Sequence, residues 1–399
     1  MRERLEKEWK SCFGDTEGVR YFFAPGRVNL IGEHTDYNGG HVFPCALTIG
    51  TYAAARLRED ETLRFYSVNF PGEGVITCPL RGIVYREEDG WTNYPKGVIA
   101  EMEKRGYRAP AGLDIMYFGT IPNGSGLSSS ASIEVLTAEI LKEFFGFAFD
   151  GIEQSLICQA AERGFNGVNC GIMDQFAIAM GRRESAIFLD TETLAYEYVP
   201  LRLPGVRIVI MNTNKKRGLG DSAYNERRAE CEQALAEIRT VRETPSLGAL
   251  TEEEFAECAA AIKSPVRLRR ARHAVTENRR TIRAAEALRG GDLTGFGKLM
   301  NESHISLRDD YEVTGPELDA LVSAAWKAEG VIGARMTGAG FGGCAVSLVR
   351  EECTERMMQE VAESYEKAIG YAPTFYLAEV GDGPGEILQR DAGCILRVM

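Results

Sequence analysis

The sequence has no long hydrophobic segment, since no apolar run in its 399 residues approaches the roughly 18 residues of a membrane-spanning helix. Residues 1–10 are charged and lack the apolar centre of a secretory signal peptide. An excess of basic residues is also missing, and the net charge of −12 argues against general nucleic-acid binding. We therefore expect a cytoplasmic protein that interacts with neither membranes nor nucleic acids.

Paired cysteines are absent as well. The ten cysteines are scattered singly, with no C-x-x-C pair and no cluster of cysteine and histidine. Scattered cysteines in a cytoplasmic chain of this size are usually small buried hydrophobic residues, so we expect neither disulfides nor a zinc site. The chain also lacks internal repeats and low-complexity linkers, and its length favours about two or three domains.

The apolar patterns alternate between strands and helices. Residues 21–24 read as a strand that ends at Pro25-Gly26, and residues 113–118 read as a strand that leads into a turn. Beyond that turn, apolar residues recur every three or four positions from Ile133 to Phe144, which is typical of an amphipathic helix. The later strand-like segments are 206–211, 344–349 and 374–380, and the later helical segments are 221–240 and 265–289.

These patterns predict a protein of the α+β class with two closely packed domains. Because the pattern resets near Asp190, we place the N-terminal domain at residues 1–195 and the C-terminal domain at residues 196–399. The chain end, residues 394–399, is a candidate strand that returns to the N-terminal domain.

Residues 122–132 form the most informative motif, a loop rich in glycine and serine ahead of a predicted helix. Glycines let the backbone approach a ligand closely, and the free N–H groups at a helix start bind phosphate. Serine hydroxyls are also hard oxygen ligands for Mg²⁺. The structural alternative is a plain turn with serine N-caps. The loop fits neither the P-loop pattern nor the Rossmann fingerprint.

A second polar segment brings Arg27, Glu33, His34 and Asp36 close together in the sequence, among glycines and other turn formers. A polyol needs hydrogen-bond donors and acceptors for each hydroxyl, and carboxylates accept two hydrogen bonds each. These residues are therefore candidates for a sugar pocket. The alternative is a polar surface turn with an incidental histidine.

A third segment contains Glu162 and, within the largely apolar residues 172–178, Asp174. A carboxylate among apolar residues is either paired or functional. The structural alternatives are a helix cap or a salt-bridge partner for Asp174 and a surface helix position for Glu162.

Two further segments have both a structural and a functional interpretation. Residues 337–343 hold four glycines ahead of an apolar strand, which suits a tight turn or a second phosphate-facing loop. Residues 267–283 hold seven arginines interleaved with alanine and glutamate. We read them as a solvated or interdomain helix, in preference to a nucleic-acid surface.

Taken together, these segments resemble the galactokinases of the GHMP small-molecule kinase superfamily. The similarity lies in residues 26–37, 122–132 and 338–343, and the first of these is specific to galactokinases and close relatives. The two glycine motifs would also suit mevalonate or homoserine kinases. The resemblance implies a two-domain GHMP kinase fold with the active site in the cleft between the domains. It also implies ATP-dependent phosphorylation of the C1 hydroxyl of galactose, giving galactose 1-phosphate and ADP, with Mg²⁺.

The resemblance further implies a role for individual residues. Asp174 would accept the proton of the sugar C1 hydroxyl, with Arg27 beside it. The sugar pocket would be lined by Glu33, His34, Asp36 and Tyr224. The adenine pocket would include Ser67 and Trp91, and the phosphate loop would include Gly124, Ser125, Gly126, Leu127, Ser128, Ser129 and Ser130. Ser130 and Glu162 would hold Mg²⁺, although the choice among serines 128–130 stays open.

Several alternatives stay open at this stage. Asp174 is either a true base or a carboxylate that orients the hydroxyl, because an adjacent arginine stabilises its ionised form and makes it a weak base. The substrate is galactose or a related sugar such as N-acetylgalactosamine. A non-catalytic sensor of galactose and ATP is the alternative from another functional class. We expect a monomer or a weak homo-oligomer.

Overall fold

The computed structural model describes residues 1–122, 125–215 and 220–387, except for the side chains of residues 220–222. The strands are β1 Arg20–Asn29, β2 His41–Val42, β3 Pro44–Leu57, β4 Thr62–Ser67, β5 Ile76–Pro79, β6 Leu113–Gly119, β7 Ser185–Asp190, β8 Tyr196–Pro200, β9 Val206–Asn212, β10 Val331–Thr337, β11 Cys344–Arg350, β12 Thr374–Ala378 and β13 Gly385–Glu386. The α-helices are α1 Arg2–Phe13, α2 Asn93–Lys104, α3 Ser129–Phe145, α4 Gly151–Ala160, α5 Met173–Ala179, α6 Gly220–Ile238, α7 Glu252–Cys258, α8 Pro265–Arg289, α9 Leu293–Ser306, α10 Gly315–Ala325 and α11 Thr354–Ile369.

The strands form three sheets. The first has the order β13-β1-β3-β6-β4-β5, the second β10-β11-β9-β12 and the third β2-β7-β8. Neighbouring strands run antiparallel except for the β4–β6 pair, which is parallel. Strand β13 pairs with β1 through Phe22 and Phe23, so a segment late in the sequence completes the first sheet. The proposed strand at residues 394–399 lies outside the described residues.

Separate apolar cores lie against the sheets. One lies between the first sheet and helices α2, α3 and α4, and another lies between the second sheet and helices α6, α10 and α11. A third core joins the two sheets, because Val28 and Leu30 at the end of β1 pack in it with Ile210 of β9 and Val346 of β11. This shared core holds the end of β1 against the second sheet, which places the polar residues after β1 at the junction of the two halves.

The sequence patterns predict most of these elements. Helix α8 occupies the predicted residues 265–289, since Ser264 caps its N-terminus by accepting from the Arg267 N–H and Pro265 opens its first turn. The prediction that the first strand ends at Pro25-Gly26 is wrong. Strand β1 continues to Asn29 with a shift of register between Pro25 and Arg27. Proline has no backbone N–H to donate to a neighbouring strand, but at a bulge that hydrogen bond is not needed. The strand therefore resumes after Pro25.

Two sequence expectations concern features other than the fold. No helix in the described part of the chain is long and apolar enough to cross a membrane. The nine cysteines that the structure describes, all except Cys394, are not joined in disulfides.

Candidate active site

A cleft of about 610 Å³ lies between the two halves of the molecule. Its walls come from β1 and the turn after it, the start of α3, the start of α5, helix α6 and the turn between β10 and β11. The sequence-predicted residues that line it are Arg27, Glu33, His34, Asp36, Ser67, Trp91, Gly126, Ser128, Ser129, Ser130, Glu162, Asp174 and Tyr224. The glycine motif at residues 338–343 lines the same cleft. Residues from distant parts of the sequence therefore share one site.

The Arg27 guanidinium and the Asp174 carboxylate form the central pair of this cleft. Arg27 Nε and Nη2 both lie 2.8 Å from Asp174 Oδ1, and Arg27 Nη1 donates to the Gly126 carbonyl at 2.7 Å. Ser128 Oγ donates to the other carboxylate oxygen, Asp174 Oδ2. The Arg27 side chain is 4% exposed and the Asp174 side chain 30% exposed. The arginine is thus buried behind a carboxylate that a ligand in the cleft can reach.

The serine-rich loop leads into the N-terminus of α3. Ser128 is the N-cap and has a left-handed backbone, with φ of 63°, which few residues other than glycine adopt. This conformation aims its hydroxyl at Asp174 while serines 129 and 130 open the helix. Free N–H groups of a helix start suit a phosphate. Ser125 and Leu127 are buried beside the cleft, and Gly124 lies outside the described residues.

The glycine motif at residues 338–343 packs against the backbone of this loop. Gly338 has φ of +85°, and a Cβ there would lie 2.8 Å from the Gly126 carbonyl oxygen. A Cβ at Gly343 would lie 3.0 Å from the Ser125 carbonyl oxygen. Only glycine permits both the backbone conformation and the close approach at position 338. The two glycine-rich segments therefore form one wall.

Buried carboxyl groups lie beneath the start of α3. Glu162, in the π-helical turn after α4, accepts from Gln175 Nε2 and lines the cleft near Ser130. Burial and the negative charge of Asp174 raise the pKa of Glu162 to about 7. Gln175 Nε2 also donates to Glu134, whose pKa burial and the charge of Glu162 raise well above its usual value. A cation among these carboxyl groups would offset their mutual repulsion.

Glu33 connects the turn after β1 to the glycine motif. Its Oε1 accepts from the Gly338 N–H at 2.7 Å and from Arg335 Nη1 at 3.2 Å. Among the described residues, both contacts of the carboxylate fall on Oε1, while the residue borders the cleft. The arrangement leaves Oε2 as the oxygen that can accept from a ligand.

The His34 imidazole is held between two protein groups. Burial and the nearby His273 lower its pKa to about 3, so the ring is neutral. Nε2 lies 3.2 Å from the Ala339 carbonyl, which only accepts, so Nε2 carries the proton. Nδ1 then accepts from the Tyr37 hydroxyl at 2.7 Å. With both ring nitrogens on protein groups, His34 shapes the pocket wall, and its direct contact with sugar stays a prediction.

Asp36 lies over the start of α5, close to Asp174. Its Oδ2 accepts from the Met173 N–H at 3.4 Å. Burial and the negative charge of Asp174 raise the pKa of Asp36 to about 7. Tyr224 of α6 closes this side of the cleft, with its ring 5.6 Å from the His34 ring. Asp36 and Tyr224 thus line the cleft together with His34, and their contact with a sugar stays a prediction.

Substitution of Gly171 by alanine is expected to disturb Asp36. A Cβ at position 171 would lie 1.7 Å from Asp36 Oδ2, so the carboxylate must move. We expect the KM for the sugar substrate to rise by about 10-fold or more, because small displacements of a positioning group are costly. Steady-state kinetics measures this. Gly72→Ala is the matched control, since a Cβ there meets nothing within 4 Å. Equal KM values for both variants would contradict the assignment of Asp36.

Trp91 and Ser67 lie together in another part of the cleft wall. The Trp91 ring packs at 5.8 Å from the Tyr117 ring. Its buried Nε1 has no hydrogen-bond partner among the described residues, and neither has the buried Ser125 Oγ. Buried donors without partners are unfavourable, so both atoms are suited to a ligand. These positions fit the predicted nucleotide side of the cleft.

Sequence reasoning missed several residues that hold the site together. They are Tyr37, Glu134, Gln175, Tyr311 and Arg335. Arg335 could have been found from the sequence, because an arginine within the apolar strand at residues 331–337 implies a buried charge that needs partners. The other four make contacts between separate segments, such as Tyr37 with Tyr311 and Gln175 with Glu134, which residue patterns do not reveal.

Comparison with known families matches most of the chain. The galactokinase galactose-binding signature matches residues 7–57. The GHMP kinases N terminal domain matches residues 93–182, and the GHMP kinases C terminal domain matches residues 284–367. The first match covers Arg27 and the turn at residues 30–37, which holds Glu33, His34 and Asp36 and is called the sugar-pocket turn after its predicted role. The second covers the serine-rich loop, Glu162 and Asp174.

Individual proteins are similar over nearly the whole length. The chain is 58% identical over 384 residues to the galactokinase of Clostridium beijerinckii, covering 96% of this chain and 98% of that protein. The crystal structure of Lactococcus lactis galactokinase complexed with galactose has a TM-score of 0.95 at 48% identity, covering 97% of this chain and 100% of that one. Mevalonate kinase of Methanococcus jannaschii, with a TM-score of 0.66 at 18% identity over 91% of this chain and 98% of its own, shares the fold alone.

Proposed function

This chain belongs to the galactokinase family of the GHMP kinases, and we propose that its cleft transfers the terminal phosphate of ATP to the C1 hydroxyl of galactose. The products are galactose 1-phosphate and ADP. The observation that supports this proposal most strongly is the Arg27–Asp174 pair, which lies between the sugar-pocket turn and the serine-rich start of α3. The family matches and the similarity to a galactokinase structure confirm the resemblance seen in the sequence. They also confirm the two-domain GHMP kinase fold.

In this proposal Asp174 orients the sugar hydroxyl and takes its proton late in the transfer. Arg27 holds Oδ1 through Nε and Nη2, while the 30% exposed Asp174 side chain remains within reach of a substrate. A weak base suffices when the transition state is loose, because the nucleophile is then not deprotonated early. The Ser128 hydroxyl now on Oδ2 marks the oxygen that would accept from the sugar.

The remaining residues bind and orient the two substrates. Free N–H groups at the start of α3 and the Arg27 guanidinium stabilise negative charge on the transferred phosphoryl group. Glu33 and Asp36 accept hydrogen bonds from sugar hydroxyls, and Tyr224 and His34 complete the sugar pocket. Trp91 and Ser67 contact the adenine side of the nucleotide.

The residues present also fit Mg²⁺, which would offset the negative charge of the phosphate groups. The Ser130 hydroxyl and the Glu162 carboxylate are hard oxygen ligands, and both residues line the phosphate end of the cleft. The buried atoms Glu134 Oε1 and Gln175 Oε1 have no hydrogen-bond partner among the described residues. Ser130 and Glu162 are the proposed ligands, and Gln175 Nε2 holds the Glu162 carboxylate.

Replacement of Glu162 by glutamine is expected to raise the Mg²⁺ concentration needed for half-maximal rate by about 10-fold or more, because a charged oxygen ligand is lost. A Mg²⁺ titration at saturating ATP and galactose measures this. Glu139→Gln is the matched control, since Glu139 is also buried and also accepts from a glutamine, Gln154, but does not line the cleft. An unchanged titration for Glu162→Gln would remove this residue from the metal site.

The alternatives to a galactokinase are not favoured. A sensor that only binds galactose and ATP is expected to have lost parts of the reaction centre, yet Asp174, Arg27 and serines 128–130 line one cleft here. A kinase for N-acetylgalactosamine would need a different pocket wall near the sugar C2. Measuring ADP release with galactose, N-acetylgalactosamine or glucose as the acceptor distinguishes a galactokinase from both alternatives. Galactose is expected to be the preferred substrate, and a higher kcat/KM for either other sugar would overturn the proposal.

A further inference from the structure

We propose that Arg335 is a positioning residue for galactose binding, acting through Glu33. Its guanidinium fixes Oε1 of Glu33 against the Gly338 N–H, so that Oε2 faces the sugar. This inference rests on the proposed function, because it needs the cleft to bind galactose. It adds a residue of β10, 302 positions away from Glu33 in the sequence, to the sugar site.

Arg335 is completely buried, and its hydrogen-bond partners lie at the junction of the two halves. Nη1 donates to Glu33 Oε1 at 3.2 Å and to the Asn29 carbonyl, at the end of β1, at 3.1 Å. Nε donates to the Ser303 hydroxyl of α9 at 3.1 Å. The planar guanidinium thus spans β1, the sugar-pocket turn and α9, which a single ammonium group cannot do.

A second carboxylate balances the charge of Arg335. Glu277 of α8 is fully buried, and its Oε1 lies 3.9 Å from Arg335 Nη2 and accepts from the Ser303 hydroxyl. Oε1 also accepts from the Gly32 N–H at 3.1 Å, in the turn that carries Glu33. Arg280 donates to the other oxygen, Oε2, at 2.8 Å. Two buried carboxylates and the backbone of the turn are therefore held around one arginine.

The contacts of Arg335 indicate that it does more than fill a buried position. The Glu33 oxygen that Arg335 holds is the same oxygen that receives the Gly338 N–H. Loss of the guanidinium would free Glu33 to rotate and would disturb its alignment on the sugar side. The neighbouring His34 keeps its own contact with Ala339, so the glycine motif stays attached. Sugar binding is therefore expected to suffer more than nucleotide binding.

The test is galactose binding by isothermal titration calorimetry without nucleotide, for wild type, Arg335→Lys, Glu33→Gln and the double variant. Arg335→Lys is expected to weaken galactose binding by about 10-fold or more, since lysine offers one point charge in place of the fork. Its ADP affinity and its kcat at saturating galactose are expected to stay within about threefold of wild type. In the double variant, galactose binding is expected to be no more than about threefold weaker than in Glu33→Gln alone, because Arg335 acts through Glu33.

Arg280→Lys is the matched control. It makes the same chemical change in the same charged network, but the guanidinium it removes holds Glu277 Oε2 rather than Glu33. Its galactose affinity is expected to stay within about twofold of wild type even if both variants lose thermal stability. If Arg335→Lys does not fold, Ser303→Ala removes the hydroxyl that accepts from Arg335 Nε and donates to Glu277 Oε1, and it is expected to weaken galactose binding by about threefold.

Three outcomes separate the possibilities. Wild-type galactose affinity in Arg335→Lys, or in Ser303→Ala when the lysine variant does not fold, would overturn the role of Arg335. Independent, multiplying effects of Arg335→Lys and Glu33→Gln would overturn its action through Glu33. Failure of the wild-type protein to bind galactose would instead overturn the proposed function.

Discussion

Replacement of Asp174 by asparagine is expected to lower kcat by at least ~100-fold, the usual contribution of a positioned proton acceptor. Asparagine has the same size but cannot take the hydroxyl proton, and its amide group would face the guanidinium of Arg27 as donor against donor in one of its two orientations. The affinity for ADP is expected to change little, because the serine-rich loop remains intact. Steady-state kinetics and calorimetric ADP binding measure the two quantities separately.

Asp150→Asn is the matched control for this substitution. Asp150 caps α4 by accepting from the Glu153 N–H and lies outside the cleft. Asparagine is as good an N-cap as aspartate, so kcat is expected to stay close to the wild-type value. An Asp174→Asn enzyme with more than a tenth of the wild-type kcat would contradict the catalytic assignment.

Replacement of Arg27 by methionine is expected to lower kcat by ~100-fold or more, the range seen when one donor to a developing negative charge is removed. The guanidinium has two tasks, since it holds Asp174 Oδ1 through Nε and Nη2 and holds the Gly126 carbonyl through Nη1. Methionine fills much of the space but supplies neither charge nor donors. Arg27→Lys is expected to recover part of the loss, because it restores the charge without the fork.

Arg20→Met provides the comparison for Arg27→Met on the same strand. Arg20 pairs with Glu386 and Glu143 on the outside of the first sheet, and its side chain is 29% exposed. Pairs of this kind contribute little to stability, so activity is expected to remain within about twofold of wild type. A kcat for Arg27→Met as high as that of Arg20→Met would exclude Arg27 from the reaction centre.

Local sequence patterns are sufficient for much of the fold. Helix α8 can be predicted because Ser264 and Pro265 mark its start, and strands β9, β11 and β12 can be predicted from apolar runs of suitable length. Strand β10 does not stand out in the same way. It carries the buried Arg335, and its partners come from segments far away in the sequence.

The candidate site, like the fold, can be predicted from the sequence only in part. Residue types alone indicate a sugar pocket around Asp36 and a phosphate loop in the serine-rich segment, and the family resemblance connects the two. The contacts of this site with the glycine motif at residues 338–343 cannot be read from the sequence, because the Glu33–Gly338 and His34–Ala339 hydrogen bonds each join residues 305 positions apart. The roles of individual site residues, the boundary near residue 195 and a cytoplasmic location stay predictions.

Identification of the product tests the central claim most directly. Wild-type protein is incubated with ATP, Mg²⁺ and galactose, and the sugar phosphate is analysed by ³¹P and ¹H nuclear magnetic resonance, with Asp174→Asn run in parallel. The proposed function predicts a new phosphorus signal coupled to the anomeric C1 proton of galactose in the wild-type reaction and almost none with the variant. A phosphate on another carbon of the sugar, or release of ADP without a sugar phosphate, would contradict it.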